Sequence, residues 1–243
     1  MALHLMDRRY KYTMLMASLP APGRLFADKQ TPLSRFRLEA RLHALEDADR
    51  AVLRAVEDAL EWRGVTRADD DDDGVRARVR RARAMTASET LRAVIDRRME
   101  IRTCLAALRR RAAADAPPPD DGSWGYGRWR RRILRNWRAA AFGLDRIHPW
   151  IKEADRLLSD GAAFDLERLL LDVVDRDLRR AGALHQFDLE AVVVYVLRWS
   201  LFDRWSRYNA EAASRRFSDL LEKGLSAGAI SARGEVKPME ARG

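Results

Sequence analysis

One stretch, Phe187 to Asn209 (FDLEAVVVYVLRWSLFDRWSRYN), leaves a chain of this kind few ways to fold. Asp188 is placed to cap a helix by accepting from a free backbone N–H of the first turn. Phe187 lies just outside and can staple onto Val192. Glu190 favours the positive end of the helix dipole. Beyond it the residues are apolar nearly all round: Leu189, Val192 to Leu197, Trp199, Leu201, Phe202 and Trp205. A helix without a polar face needs other helices around it. Arg198, Asp203 and Arg204 interrupt it before ~18–20 apolar residues accumulate, so it is too short for a membrane span. The stretch predicts the central helix of a soluble bundle.

The rest of the chain supplies sister helices. Tyr10 to Leu19 is short and apolar and reads as a strand or a helical turn. Ser34 opens a pattern carrying Leu38, Leu42, Leu45, Val52, Val56 and Leu60, split near residues 46–49 with Asp47 or Asp49 as a new cap. Thr86 to Glu89 has capping-box spacing and starts a helix that Pro117 to Pro119 stop. From about Arg128, Trp129, Ile133, Trp137 and Ala141 form a stripe spaced by four. Pro149 suits the first turn of another helix. Phe164-Asp165-Leu166-Glu167 repeats the start signal at Phe187, and Gly182 is placed to end that helix. A last helix at about 210–225 would bury Phe217, Leu220, Leu221 and Leu225. The architecture expected is all-α, a bundle of six to eight helices. Residues 1–9 read as a loose N-terminus and 10–225 as one helical domain with linkers near 64–75 and 115–127. Residues 226–243 read as a flexible tail.

Charge narrows the partners. Lys and Arg number 46 against 37 Asp and Glu, a net +9, and only five of the bases are Lys. Such a chain meets nucleic acid, a lipid surface or an acidic protein face readily. Cys104 alone excludes an internal disulfide and suits a reducing compartment. With no signal-peptide core and no span, the expected location is cytoplasmic, with membrane contact only through a partner.

Catalytic and cofactor chemistry finds little footing. Asp69, Asp71, Asp73 and Gly74 open like a calcium loop, but the twelfth position is Arg80 where a bidentate carboxylate is required. The same acids have the spacing of a prenyl-diphosphate magnesium motif, yet no second acidic motif follows. A solvated acidic loop is the simpler reading. His4, His43, His148 and His185 show no neighbouring ligand at metal spacing, and His148 and His185 border turns, where polar capping is the commoner role. Cys104 reads as a small core residue. The Gly125-Tyr126-Gly127 segment is too short for a phosphate loop. Catalytic, cofactor and metal residues are therefore expected to be none. The arginines at 76–83 and 128–138 are the candidates for binding, through phosphates or an Arg-rich protein interface, while Trp129 and Trp137 are expected to face the core.

Several segments together resemble a known family. They are Tyr10-x-Tyr12 with Ala17-Ser18-Leu19-Pro20, then Glu89, Arg97, Arg102 and Leu108-Arg109. Trp129 with Leu134-Arg135-Asn136-Trp137 follows. Phe187-Asp188-x-Glu190-Ala191-Val192, Tyr195, Arg198-Trp199 and Arg204-Trp205 close the series. Over roughly residues 10–225 the chain resembles a small bacterial family whose genes accompany those of V-type (A-type) ATP synthases. That family is similar to the funnel-shaped helical component of the central stalk, the one known as d in eukaryotic complexes. The chain is shorter than a full three-lobed funnel, and residues 66–84 have no counterpart. The resemblance implies a non-catalytic central-stalk coupler between rotor shaft and membrane ring, peripherally membrane-associated through the complex, with no small-molecule substrate. Arg128, Arg130, Arg131, Arg132, Arg135 and Arg138 are the expected partner-binding face. The alternative is a basic helical nucleic-acid-binding protein. A third reading, an all-α enzyme acting on a diphosphate, needs Asp69 to Asp73 to face a cavity.

Overall fold

The computed structural model describes residues 9–27, 30–60, 72–114 and 116–208. Among the described residues the chain is all-α, with no strand. The helices are α1 (Thr13–Ser18), α2 (Arg35–Leu42), α3 (Asp47–Leu60), α4 (Asp72–Met85), α5 (Glu89–Ala114), α6 (Arg130–Arg135), α7 (Trp150–Ser159), α8 (Ala163–Gly182) and α9 (189–208). A 3-10 turn at Ala140–Gly143 joins α6 to α7. α3 packs on α4, α7 on α8, and α5 touches both pairs.

α9 is the buried axis that its sequence predicts. Ala191 to Leu197, Trp199, Leu201, Phe202 and Trp205 are all buried. Asp188 caps it, its Oδ1 accepting from the Ala191 N–H at 3.0 Å. Phe187 stacks on Tyr10 with ring centroids 6.2 Å apart. The N-terminal segment is hydrogen-bonded to this axis. Tyr12 N–H donates to the Phe187 carbonyl at 2.7 Å. The Tyr195 hydroxyl donates to the Pro20 carbonyl at 3.0 Å, and Trp199 Nε1 to the Leu33 carbonyl at 2.8 Å. Bulky amphipathic rings thus bury their apolar bodies while satisfying carbonyls of an irregular segment that no ladder could reach.

Acids of α8 meet arginines from the neighbouring helices in the core. On α8, Asp175 is 5% exposed and accepts from Arg198 of α9 at 2.8 Å and from Arg179 at 3.1 Å. Glu167, 4% exposed, accepts from Arg204 of α9. Asp177 accepts from Arg97 of α5 at 3.2 Å. These bonds fix α8 between α5 and α9 in one register, since a slip would leave buried charge without a partner.

Several boundaries differ from the sequence reading, each for a local reason. The Tyr10–Leu19 segment is helical at Thr13–Ser18. The split after α2 falls where expected, and Ser34 caps α2 through Arg37 N–H at 3.4 Å. Asp47 and Asp49, however, lie inside the first turn of α3, and Asp49 binds Lys11 and Tyr12 in place of capping. The linker read near 64–75 is helical from Asp72, and the arginine run that follows lies on α4, where Val75, Val79 and Ala82 form its buried stripe. Thr86 does not cap α5. Ser88 does, its Oγ accepting from Leu91 N–H at 3.3 Å, while Thr86 Oγ1 accepts from Ser88 N–H at 3.1 Å.

The helix expected from Arg128 through Ala141 stops at Arg135. Ala141 and Phe142 take φ of 53° and 54°, a left-handed turn that costs about 1–2 kcal/mol per residue and drives Phe142 to full burial beside Trp137. Asp165 lies in the first turn of α8 after a cap at Ala162 that makes no side-chain bond. Gly182 is the last helical residue and does not adopt a left-handed cap. A Cβ there would stand 3.1 Å from Val194 Cγ1, so its value is close approach to α9. The helix expected at 210–225, with Phe217, Leu220, Leu221 and Leu225, lies outside the described residues, as do the N-terminal residues 1–8 and the tail at 226–243.

Asp175→Asn is expected to lower unfolding free energy by about 3 kcal/mol, because Arg198 keeps its charge in the core without a carboxylate. Asp175→Leu combined with Arg198→Leu is expected to recover most of that loss. Urea denaturation of the three proteins measures both effects. A near-zero cost for Asp175→Asn would mean that the pair does not hold α8 to α9. Trp199→Phe, which strands the Leu33 carbonyl, is expected to cost about 1–3 kcal/mol in the same assay.

Candidate functional site

A cleft of about 650 Å³ lies between α5 and α8, closed at one side by the loop at 126–128. Its walls are apolar at Val94, Ile101, Val174, Leu178 and Leu197. Charged groups run across it in alternation. Arg180 lies 3.8 Å from Asp177, and Asp177 binds Arg97. Arg97 stands 4.0 Å from Glu100, and Glu100 binds Arg128 at 3.0 Å. The chain of charges begins and ends on an arginine, and both ends face solvent, with side chains 76% and 65% exposed.

The loop carrying Arg128 owes its path to two glycines. Gly125 and Gly127 have φ of +72° and +86°, a region open to glycine. A Cβ on Gly127 would meet Glu100 Cγ at 2.8 Å. Between them Tyr126 is fastened to α5: its N–H donates to Thr103 Oγ1 at 2.8 Å, and its carbonyl accepts from the same hydroxyl at 3.1 Å. Its own hydroxyl donates to Asp96 at 3.2 Å, beside the Arg83–Asp96 pair. The Gly-Tyr-Gly segment, too short to cradle a phosphate by itself, therefore positions a cationic rim.

Glu100 is the buried member of the cleft, 4% exposed. Burial raises its carboxyl above the ordinary value, opposed by Arg128, by Arg97 and by the Trp129 Nε1–H, which donates to it at 3.2 Å. Arg98 lies deeper, and burial draws its guanidinium down to about 10 against the attraction of Glu167. It remains a cation at neutral pH.

The six arginines singled out from the sequence do not form one set. Arg128 joins the cleft through Glu100 and lies 4.8 Å from the Trp129 ring centroid. Arg130 pairs with Asp120 at 3.1 Å. Arg132 donates to the Gly143 carbonyl at 2.6 Å, bracing the 3-10 turn. Arg131, Arg135 and Arg138 are exposed and have no ion-pair partner among the described residues. Arg135 and Arg138 border a shallow hollow with Pro117 and Trp137. Trp137 is buried, and Trp129 is half-buried and bonded to Glu100, so both rings serve packing as expected. Sequence reading missed Glu100, Asp177 and Arg180. A buried carboxylate on a helix of low amphipathicity leaves no periodic trace, and its closest partners, Arg128 and Trp129, lie on another element.

Of the acidic run, Asp69 to Asp71 lie outside the described residues. Asp73 is exposed and stands 3.5 Å from Arg76. Cys104 is fully buried, and burial pushes its thiol up to about 12, as a core residue requires. One expectation about histidine needs correction. His185 does have carboxylates beside it: it forms a potential ligand group with Asp188 and Glu190. Both ring nitrogens are already engaged, Nδ1 with Asp188 at 2.7 Å and Nε2 with Thr90 at 3.0 Å. The group orients the α9 cap against α5. His148 does not cap a helix through its side chain. It is 2% exposed, flanked by Trp129 and Trp150 at ring distances of 6.2 and 6.1 Å.

Burial, and then the Arg97 charge, push the His148 imidazole from 6.5 to about 4. Its folded value is depressed, so the stability it confers is complete above pH 6.5 and is lost as pH falls toward 4. The wild type is expected to lose about 3 kcal/mol over that window relative to His148→Phe. Chemical denaturation of both proteins from pH 7 to 4 checks this, and parallel curves would exclude a neutral buried imidazole.

Comparison of the whole chain with family models, with curated proteins and with solved structures returns no match.

Proposed function

We propose that this protein is a non-catalytic coupling component of the central stalk of a bacterial V/A-type rotary ATPase, linking the rotor shaft to the membrane ring. One observation carries the reading. The first and last of the segments that bear the resemblance, far apart in sequence, are joined directly, and the second meets the last through acids of α8. Tyr12 bonds to Phe187, Tyr195 to Pro20, and the motif arginines Arg97, Arg198 and Arg204 each hold an acid of α8. The motif residues thus build one cross-braced body and do not converge on a reaction centre. Stiffness is what torque transmission asks of a coupler, and close-packed helices locked by ion pairs supply it. No described helix is long and apolar enough to cross a membrane, so in this reading the membrane is met through the complex. Of the six arginines at 128–138, Arg131, Arg135 and Arg138 are the ones left for an acidic partner face.

The same three exposed arginines favour a second reading, a basic helical nucleic-acid-binding protein. In that case affinity would fall steeply with salt. The burial of Trp137 and the bond from Trp129 to Glu100 tie up the two tryptophans interleaved with these arginines, which single-strand binding would use for base stacking.

Affinity capture of the full chain from detergent-solubilised membranes tests the first reading. Rotor-ring and shaft proteins are expected in the eluate. Arg131→Glu, Arg135→Glu and Arg138→Glu together are expected to lower their recovery about tenfold. Recovery of neither rotor nor shaft would overturn the coupling role, and salt-sensitive retention on duplex or single-stranded nucleic acid would replace it.

A further inference from the structure

We infer that the cleft between α5 and α8 binds a small amphipathic anion, a carboxylate or phosphate head on a short apolar body. Its volume of about 650 Å³ lies within the ~300–1,000 Å³ range of small-molecule sites. The apolar wall residues Val94, Ile101, Val174, Leu178 and Leu197 are each under a tenth exposed. The opening is therefore a slot with apolar depth. A docked partner helix would need an exposed apolar stripe carrying anchors over several turns, and these walls offer none. A single short chain fits between them.

The rim selects the sign of the head. Arginines in the lining number five and carboxylates three; Arg98 is set deeper, toward Glu167, so the mouth carries its net positive charge through Arg180. The carboxylates are already committed: Asp96 to Arg83 and Tyr126, Glu100 to Arg128, and Asp177 to Arg97. Arg128 and Arg180 end the alternating series, and each is more than half exposed with acid on one side only. A guanidinium has five donors in a planar fork, so both keep N–H groups for an incoming oxyanion. A cation would meet the same rim unfavourably, and a neutral amphiphile would leave the excess charge unrelieved. This binding is independent of the coupling role and stands or falls without it.

Isothermal titration of the full chain, below the micelle threshold, tests the site with four probes. Octanoate and octyl phosphate carry the two candidate heads. Octyl glucoside keeps the tail without charge, and inorganic phosphate keeps the charge without the tail. At least one of the two anionic amphiphiles is expected to bind saturably at one site, about tenfold or more tighter than either control. The better of the two identifies the head. Arg128→Gln with Arg180→Gln is expected to weaken that binding about tenfold in protein shown to be folded by circular dichroism, with some loss of thermal stability because Glu100 loses its closest cation. Ala181→Leu, on the cleft wall, is expected to block it. Equal binding of octyl glucoside, equal binding of inorganic phosphate, no saturable binding by either anionic amphiphile, or full affinity in the double glutamine variant would each overturn the assignment.

Discussion

Carboxylates on α8, buried at Glu167 and Asp175 and half-buried at Asp177, govern this structure. Glu167, Asp175 and Asp177 sit on a helix that is otherwise amphipathic in the ordinary way, and each meets an arginine from another element. Hydrophobic burial alone would hold α8 against α5 and α9 at many registers, because apolar contact is not directional. A desolvated acid tolerates only the register that brings its guanidinium within bonding distance. The ion pairs therefore act less as a source of stability than as a restriction on which packing is allowed.

The same logic extends outward into the cleft. Asp177 is shared between Arg97 and Arg180, and Arg97 approaches Glu100, which holds Arg128 on its glycine-framed loop. Core registration and surface charge are thus one continuous network. A change at Glu100 would be felt at the rim through Arg128 and in the core through Arg97. Rigidity and an electrostatically defined opening arise from the same residues.

Tyrosine and tryptophan solve a different problem. The N-terminal segment is largely irregular between α1 and α2, so its carbonyls lack helical partners. Tyr195 and Trp199 lie one turn apart on α9 and each reaches one of those carbonyls, at Pro20 and Leu33. The apolar axis therefore anchors the start of the chain with polar atoms carried on hydrophobic rings.

Residue order was enough to establish the all-α class, the buried axis with Asp188 as its cap, and the core positions of Cys104 and Trp137. Those follow from periodicity and capping chemistry, which act within a turn or two of helix. The same signals placed α2, α3, α5, α7 and α8 to within a few residues. They did not mark α4 as a helix or end the helix after Arg135, because Gly74 and an arginine run obscured a short apolar stripe and the left-handed turn puts Ala141 and Phe142 at positive φ before it reaches Gly143. Which arginines are spent on acids and which face solvent was settled in three dimensions. Arg130 and Arg131 are neighbours in one basic run, yet one is bound to Asp120 and the other points to water. The cleft, too, exists only where α5, α8 and the glycine loop meet. Pairings between groups many tens of residues apart depend on distance in space, and a one-dimensional pattern holds no record of that.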